Sequence, residues 1–246
     1  MIRRLFSAAI LAGIIAGICI SAVHQFTTVP LILMAEQFEV SDGREWHPAL
    51  NLNRGTSDHQ NFFFMTPAHA DKKIIEDHVS WQPDTYFERI TYTGLTTILV
   101  GVGFALLLVS GMVIRGSTEN FRSGVIWGIG GFCAFTLSPS MGLPPELPGM
   151  SGAELFARQT WWIGTMISTI VGLWALIFMK NPTFWFIGFV VVLAPHIIGA
   201  PIAESSAQNA VPAELAAKFV AISIGVSGLF WVLLGGLSGY FFNKFK

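Results

Sequence analysis

Apolar residues gather into six runs along the chain, near Leu5–Phe26, Leu95–Ile114, Gly124–Leu137, Trp161–Met179, Phe184–Gly199 and Phe219–Phe242. A helix that crosses the hydrocarbon of a bilayer needs about 20 predominantly apolar residues. The pattern therefore predicts an all-α integral membrane protein, a six-helix transmembrane bundle. The third and fifth runs are short and end near Pro139 and Pro195, so they are expected to tilt, break or merge with their exits. Polar positions concentrate in three places. One is a long segment from about residue 34 to 89, placed between a first helix (1–33) and the remaining helices (90–246). The others are exit loops at 137–160 and 195–217. The middle one, LSPSMGLPPELPGMSGAELFARQTWW, carries four prolines and three glycines, too many helix breakers for a continuous helix.

Composition supports the membrane reading: 52% of residues are hydrophobic and 12% charged, with 21 Phe and 8 Trp. A net charge of −1 offers no basic surface for nucleic acid. Cys19 and Cys133 both fall inside apolar runs and lack metal-ligand or redox spacing. Arg3-Arg4 ahead of the first run resembles a signal peptide's start. No small-residue cleavage site closes that run, so an uncleaved span is expected. Placing the N-terminus inside collects Arg3, Arg4, Arg115, Arg122, Lys180, Lys244 and Lys246 on the cytoplasmic side, as the positive-inside rule favours. Both termini are then cytoplasmic. Every acidic residue except Glu119 falls outside, and a negative outer face concentrates cations.

The three outward runs end alike, each with a proline followed by a glutamate: Pro30 and Glu36, Pro139 and Glu146, Pro195 and Glu204. This recurrence suggests three helical hairpin repeats, with a long outer loop inserted in the first. Transporters often place their sites at repeat interfaces and broken helices. His24 lies on the outward part of the first run. His196 follows Pro195 directly, where the proline deprives the Val191 carbonyl of its helical donor. Ionisable groups within membrane segments are costly and face a polar pathway or a partner. His47, His59, His69 and His78 lie in the long outer segment among ten carboxylates, without the spacing that places two ligands on one helical face. Neutral imidazole and carboxylate suit borderline divalent metals. The chain has no P-loop, no H-E-x-x-H and no G-x-S-x-G, so no enzyme is indicated, and concentrative transport would draw on a partner, a gradient or the membrane potential.

The run Gly142-Leu143-Pro144-Pro145-Glu146-Leu147-Pro148-Gly149, followed by Arg158-Gln159-x-Trp161-Trp162, resembles the signature of the CbtA family of proposed cobalt transporter subunits. Pro30…Ala35-Glu36, His78-x-x-Trp81-x-Pro83, Gly103-Phe104-Ala105-Leu106 and Pro195-His196…Gly199-Ala200-Pro201 support the resemblance. It implies a multi-pass inner-membrane protein serving cobalt supply for cobalamin synthesis. It also implies a small single-span partner with a histidine-rich terminus, CbtB. The resulting expectation is a permease component for divalent metal, cobalt first, with candidate metal ligands His24, Glu36, His78, Glu146, His196 and Glu204. Cobalt is expected as substrate, with no permanently bound cofactor. Two other classes fit the same residues: a redox protein with His24 and His196 as axial haem ligands, and a non-transporting scaffold for a partner permease.

Overall fold

The structure, a computed structural model, describes residues 1–41, 85–116, 120–202 and 211–245. All regular structure among these residues is helical. His78, Glu204 and the three other histidines of the outer segment lie outside the described residues. Helices α1 (Ile2–Phe26), α3 (Tyr86–Arg115), α6 (Leu155–Phe178) and α8 (Ala213–Lys244) are each long and apolar enough to cross a bilayer. Between them lie α2 (Thr28–Ser41), α4 (Phe121–Phe132), a π-helical turn (Cys133–Leu137), α5 (Ser138–Ser140) and α7 (Pro182–Ile198). The third apolar run is thus one interrupted helix: α4 passes through the π turn into α5 without a loop. The Ser138 N–H reaches back five residues to the Cys133 carbonyl, and the widened turn sits just ahead of Pro139, which has no N–H to donate.

The Pro30 exit departs from its expected form. Residues around Pro30 to Glu36 form α2 rather than an irregular exit. Proline is tolerated in the first turn of a helix, where its missing donor would have no intrahelical partner. The hydroxyl of Thr27, at the break, turns back to the Val23 carbonyl at 2.7 Å. Leu31 and Ala35, one turn apart, bury themselves against Leu147, Val211 and Phe219, which gives α2 a reason to remain helical.

The main packing pairs are α1 with α3, α4 with α8, and α6 with α7, with α1 also lying along α8. Each pair runs antiparallel, since rising numbers on one helix meet falling numbers on the other: Gly13 meets Val102 and Gly17 meets Ile98, while Gly124 meets Gly239 and Gly128 meets Gly235. Only the first of the three expected hairpins is therefore a close pair. The chain's third segment packs on its last helix, and among the described residues α6 meets it chiefly through the π turn and α5. The reason is the glycine placement, because small residues let backbones approach closely in lipid. A Cβ at Gly128 would fall on the Trp231 carbonyl and lie 3.2 Å from the Cα of Gly235.

Both termini meet at one end of the bundle. Arg4 Nε donates to the Phe242 carbonyl at 2.6 Å, and its guanidinium covers the Phe242 ring. Arg115 lies over Phe178 at the same end, 4.6 Å from the ring centroid. The opposite end carries Glu36, Glu146, Glu154 and Glu214. Large apolar side chains such as Leu99, Leu107, Ile126, Ile167, Phe186 and Phe189 stay exposed, as expected where lipid rather than water is the solvent.

Candidate functional site at the interrupted helix ends

At the acidic end, the π turn with α5, the N-terminal half of α6 and the C-terminal end of α7 converge. Each contributes polar groups to an otherwise apolar region. Ser138 Oγ lies 3.1 Å from His196 Nε2 and 2.8 Å from Thr169 Oγ1, and Thr169 Oγ1 is also 2.8 Å from the Thr165 carbonyl. A hydroxyl has one proton to give, so the chain has two consistent states. Thr169 donates to Ser138, and Ser138 either accepts from His196 Nε2–H or donates to a bare Nε2. Only when Nε2 carries the proton does Nδ1 keep a lone pair for a metal; with Nε2 bare, Nδ1 is itself an N–H donor. Thr165 and Thr169 are buried at 0% and 2% exposure, so these hydroxyls cannot exchange their partners for water.

Trp161 closes one side. Its indole N–H donates to the Pro195 carbonyl at 3.2 Å, and its ring meets the His196 ring edge-on at 6.0 Å between centroids. The Val191 carbonyl freed by Pro195 accepts the Ser168 hydroxyl. On the other face of the π turn, Thr136 joins Ser227 of α8 at 2.8 Å and accepts the Trp231 indole N–H at 3.2 Å. The turn thus links α8 to the α6–α7 pair through hydroxyls.

His24 sits at the α1–α2 break, its Nδ1 2.6 Å from Thr28 Oγ1. Its remaining nitrogen, Nε2, is the one a metal would take, with the hydroxyl orienting the ring. The two candidate carboxylates are paired. Glu36 receives Arg89 Nη1 at 3.1 and 3.3 Å, and Glu146 receives Arg158 Nη2 at 2.6 Å. Ala35 and Leu147 belong to the same apolar cluster, so the two ion pairs flank one patch at the acidic end. Among the described residues, no three His, Cys, Asp or Glu side chains gather as a metal-holding group. His24, Glu36, Glu146 and His196 are each held by a different partner, not by one another.

Glu154, the second carboxylate of the Pro-rich loop, caps α6. It accepts the N–H of Phe156 at 2.9 Å and of Ala157 at 2.7 Å, and these bonds hold its carboxyl below the usual range. The Glu146–Arg158 pair depends on Gly152, where a Cβ would collide with the Arg158 guanidinium and approach Glu146 Oε2 to 3.1 Å. Gly152→Ala is therefore expected to separate the pair while leaving the helices packed. Proteolysis of the 141–154 loop should speed up, with little change in the thermal midpoint, because a partly exposed ion pair contributes only about 0–1 kcal/mol.

The sequence pattern singled out His24 and His196 as candidates but not the Ser138, Thr165, Ser168 and Thr169 hydroxyls that bond around α7. A usable signal was present: Trp161, Thr165 and Thr169 recur at i, i+4, i+8, one stripe of α6 on which every residue can hydrogen-bond.

Comparison with curated proteins and with solved structures finds no match for this chain. A family model described as "Probable cobalt transporter subunit (CbtA)" matches residues 2–243. With nearly its whole length matched, the chain belongs to the CbtA family.

Proposed function

We propose that this chain is the membrane permease component for divalent metal, with cobalt entering from the acidic end for use in cobalamin synthesis. Six helical segments cross the inner membrane and both termini are cytoplasmic, the orientation that puts Arg4, Arg115 and Lys244 inside. The observation that carries the reading is the meeting of the π-interrupted third helix, at α5, with α7, which runs on through Pro195 with one backbone bond missing, around His196. Broken helices buried in a bundle are where transporters hold their ions. π turns likewise recur at functional sites.

The path runs from the His-bearing outer segment, including His78, past Glu36, Glu146 and Glu204 to His24 and His196. Metal takes His24 through Nε2 and His196 through Nδ1, while Thr28 and Ser138 hold the other ring nitrogens. Co²⁺ accepts such mixed nitrogen and oxygen ligands. The separation of the ligands suits passage, since conduction needs several weak sites in sequence rather than one closed cage. Glu36 and Glu146 become ligands when Arg89 and Arg158 release them, so a cation arriving at this end displaces a guanidinium. A small CbtB-like single-span partner with a His-rich terminus completes the permease.

Reconstitution tests this reading. Proteoliposomes holding the chain with its partner should accumulate Co²⁺ above protein-free vesicles. Flux from the chain alone would assign it the path. Flux from the partner alone, unchanged when the chain is added, would make the chain a scaffold instead.

A further inference from the structure

We infer that Ser168 is a positioning residue for His196, its hydroxyl replacing the backbone donor that Pro195 removes from α7. In a regular helix the N–H of residue 195 would bond the carbonyl of residue 191, but proline has no N–H. A carbonyl left bare inside an apolar bundle costs free energy that water cannot relieve there. The Ser168 hydroxyl donates to that Val191 carbonyl from the neighbouring helix. Serine is short, so this reach requires α6 and α7 to lie close. They do: a Cβ at Gly188 would stand 2.9 Å from the Gly172 carbonyl.

The second hold lies on the far side of the proline. The Pro195 carbonyl accepts the Trp161 indole N–H at 3.2 Å as well as the Gly199 N–H at 3.0 Å. Thus α6 grips α7 one turn before the proline and again at it. His196 is the next residue, and its ring direction follows from the backbone at this point. With α7 gripped, the ring is aimed at Ser138 and set edge-on to Trp161. Ser168 touches no candidate ligand and acts through the carbonyl alone. Its effect on transport rests on the reading of His196 as a metal ligand, whereas its bond to α7 does not.

A double-mutant cycle separates the two. Thermal unfolding of the purified full chain is compared for wild type, Ser168→Ala, Ser168→Thr, Pro195→Ala and the Ser168→Ala/Pro195→Ala pair. Alanine at 195 restores the helical N–H, so Ser168 becomes redundant in that background. Ser168→Ala alone should lower Tm by about 2–8 °C, Ser168→Thr should retain it, and the pair should be no less stable than Pro195→Ala. An equal loss from Ser168→Ala with and without Pro195 would overturn the assignment. In the same set, cobalt uptake should fall about tenfold in Ser168→Ala and recover in Ser168→Thr. The expected cycle with no cobalt uptake even by wild type and partner would uphold the Ser168 bond and sink the transport reading. An additive cycle in a wild type that does transport would do the reverse.

Discussion

Replacing His196 by alanine should reduce cobalt uptake by at least about tenfold, the scale typical for losing a group that holds or orients a metal, at unchanged protein abundance in the membrane. The substitution is expected to spare the fold for a structural reason. His196 is partly buried, and the bonds that shape the end of α7, Ser168 to Val191 and Trp161 to Pro195, use backbone oxygens and survive the loss of the ring. Ser138 keeps Thr169 as a partner, so no buried hydroxyl is orphaned. Uptake measured with a cobalt radioisotope in cells, alongside immunoblotting of membranes, gives both quantities. Uptake equal to wild type would remove His196 from the path and leave His24 as the candidate histidine described here.

Gly128→Leu should abolish the folded protein. At this crossing α4 and α8 touch backbone to backbone, and the first carbon added at Gly128 already meets the Trp231 carbonyl. A carbonyl within a helix cannot rotate aside as a side chain can, so the helices must separate along the whole glycine stripe. The penalty should exceed the ~1–3 kcal/mol of ordinary overpacking. Gly130→Leu is the control, two residues away on the same helix, where an added Cβ meets nothing within 4 Å. Size-exclusion profiles of detergent extracts should show a monodisperse peak for Gly130→Leu and aggregate or no peak for Gly128→Leu. Matching profiles would mean that the α4–α8 crossing is not set by these glycines.

The paired carboxylates change what Glu146 can be. Its position in the Pro-rich loop suggests a group held out over the bundle mouth for a cation. The structure joins it to Arg158, twelve positions along the sequence. That partner is visible in the sequence only as part of the R-Q-x-W-W run. The spacing gives no hint that the loop folds back on the start of α6. Glu36 and Arg89 are joined across 53 positions, and no local pattern reports such a pair.

Hydropathy alone determined that the protein is helical and membrane-embedded, because only long apolar segments with internally satisfied backbones are stable in lipid. Pro195 marked the backbone carbonyl that α7 leaves without a helical donor, since a missing N–H is a property of the residue and needs no tertiary context. The helices themselves run on, α7 through Pro195 and α2 through Pro30. Which helices pair was decided in three dimensions. The glycine stripes of α4 and α8 match each other in register, so the third apolar segment packs on the last rather than on its neighbour in sequence. Likewise, the Val191 carbonyl freed by Pro195 was foreseeable, while its donor was not. That donor comes from a serine on another helix, chosen by proximity. A sequence records which groups lack partners; the packing of the bundle assigns them.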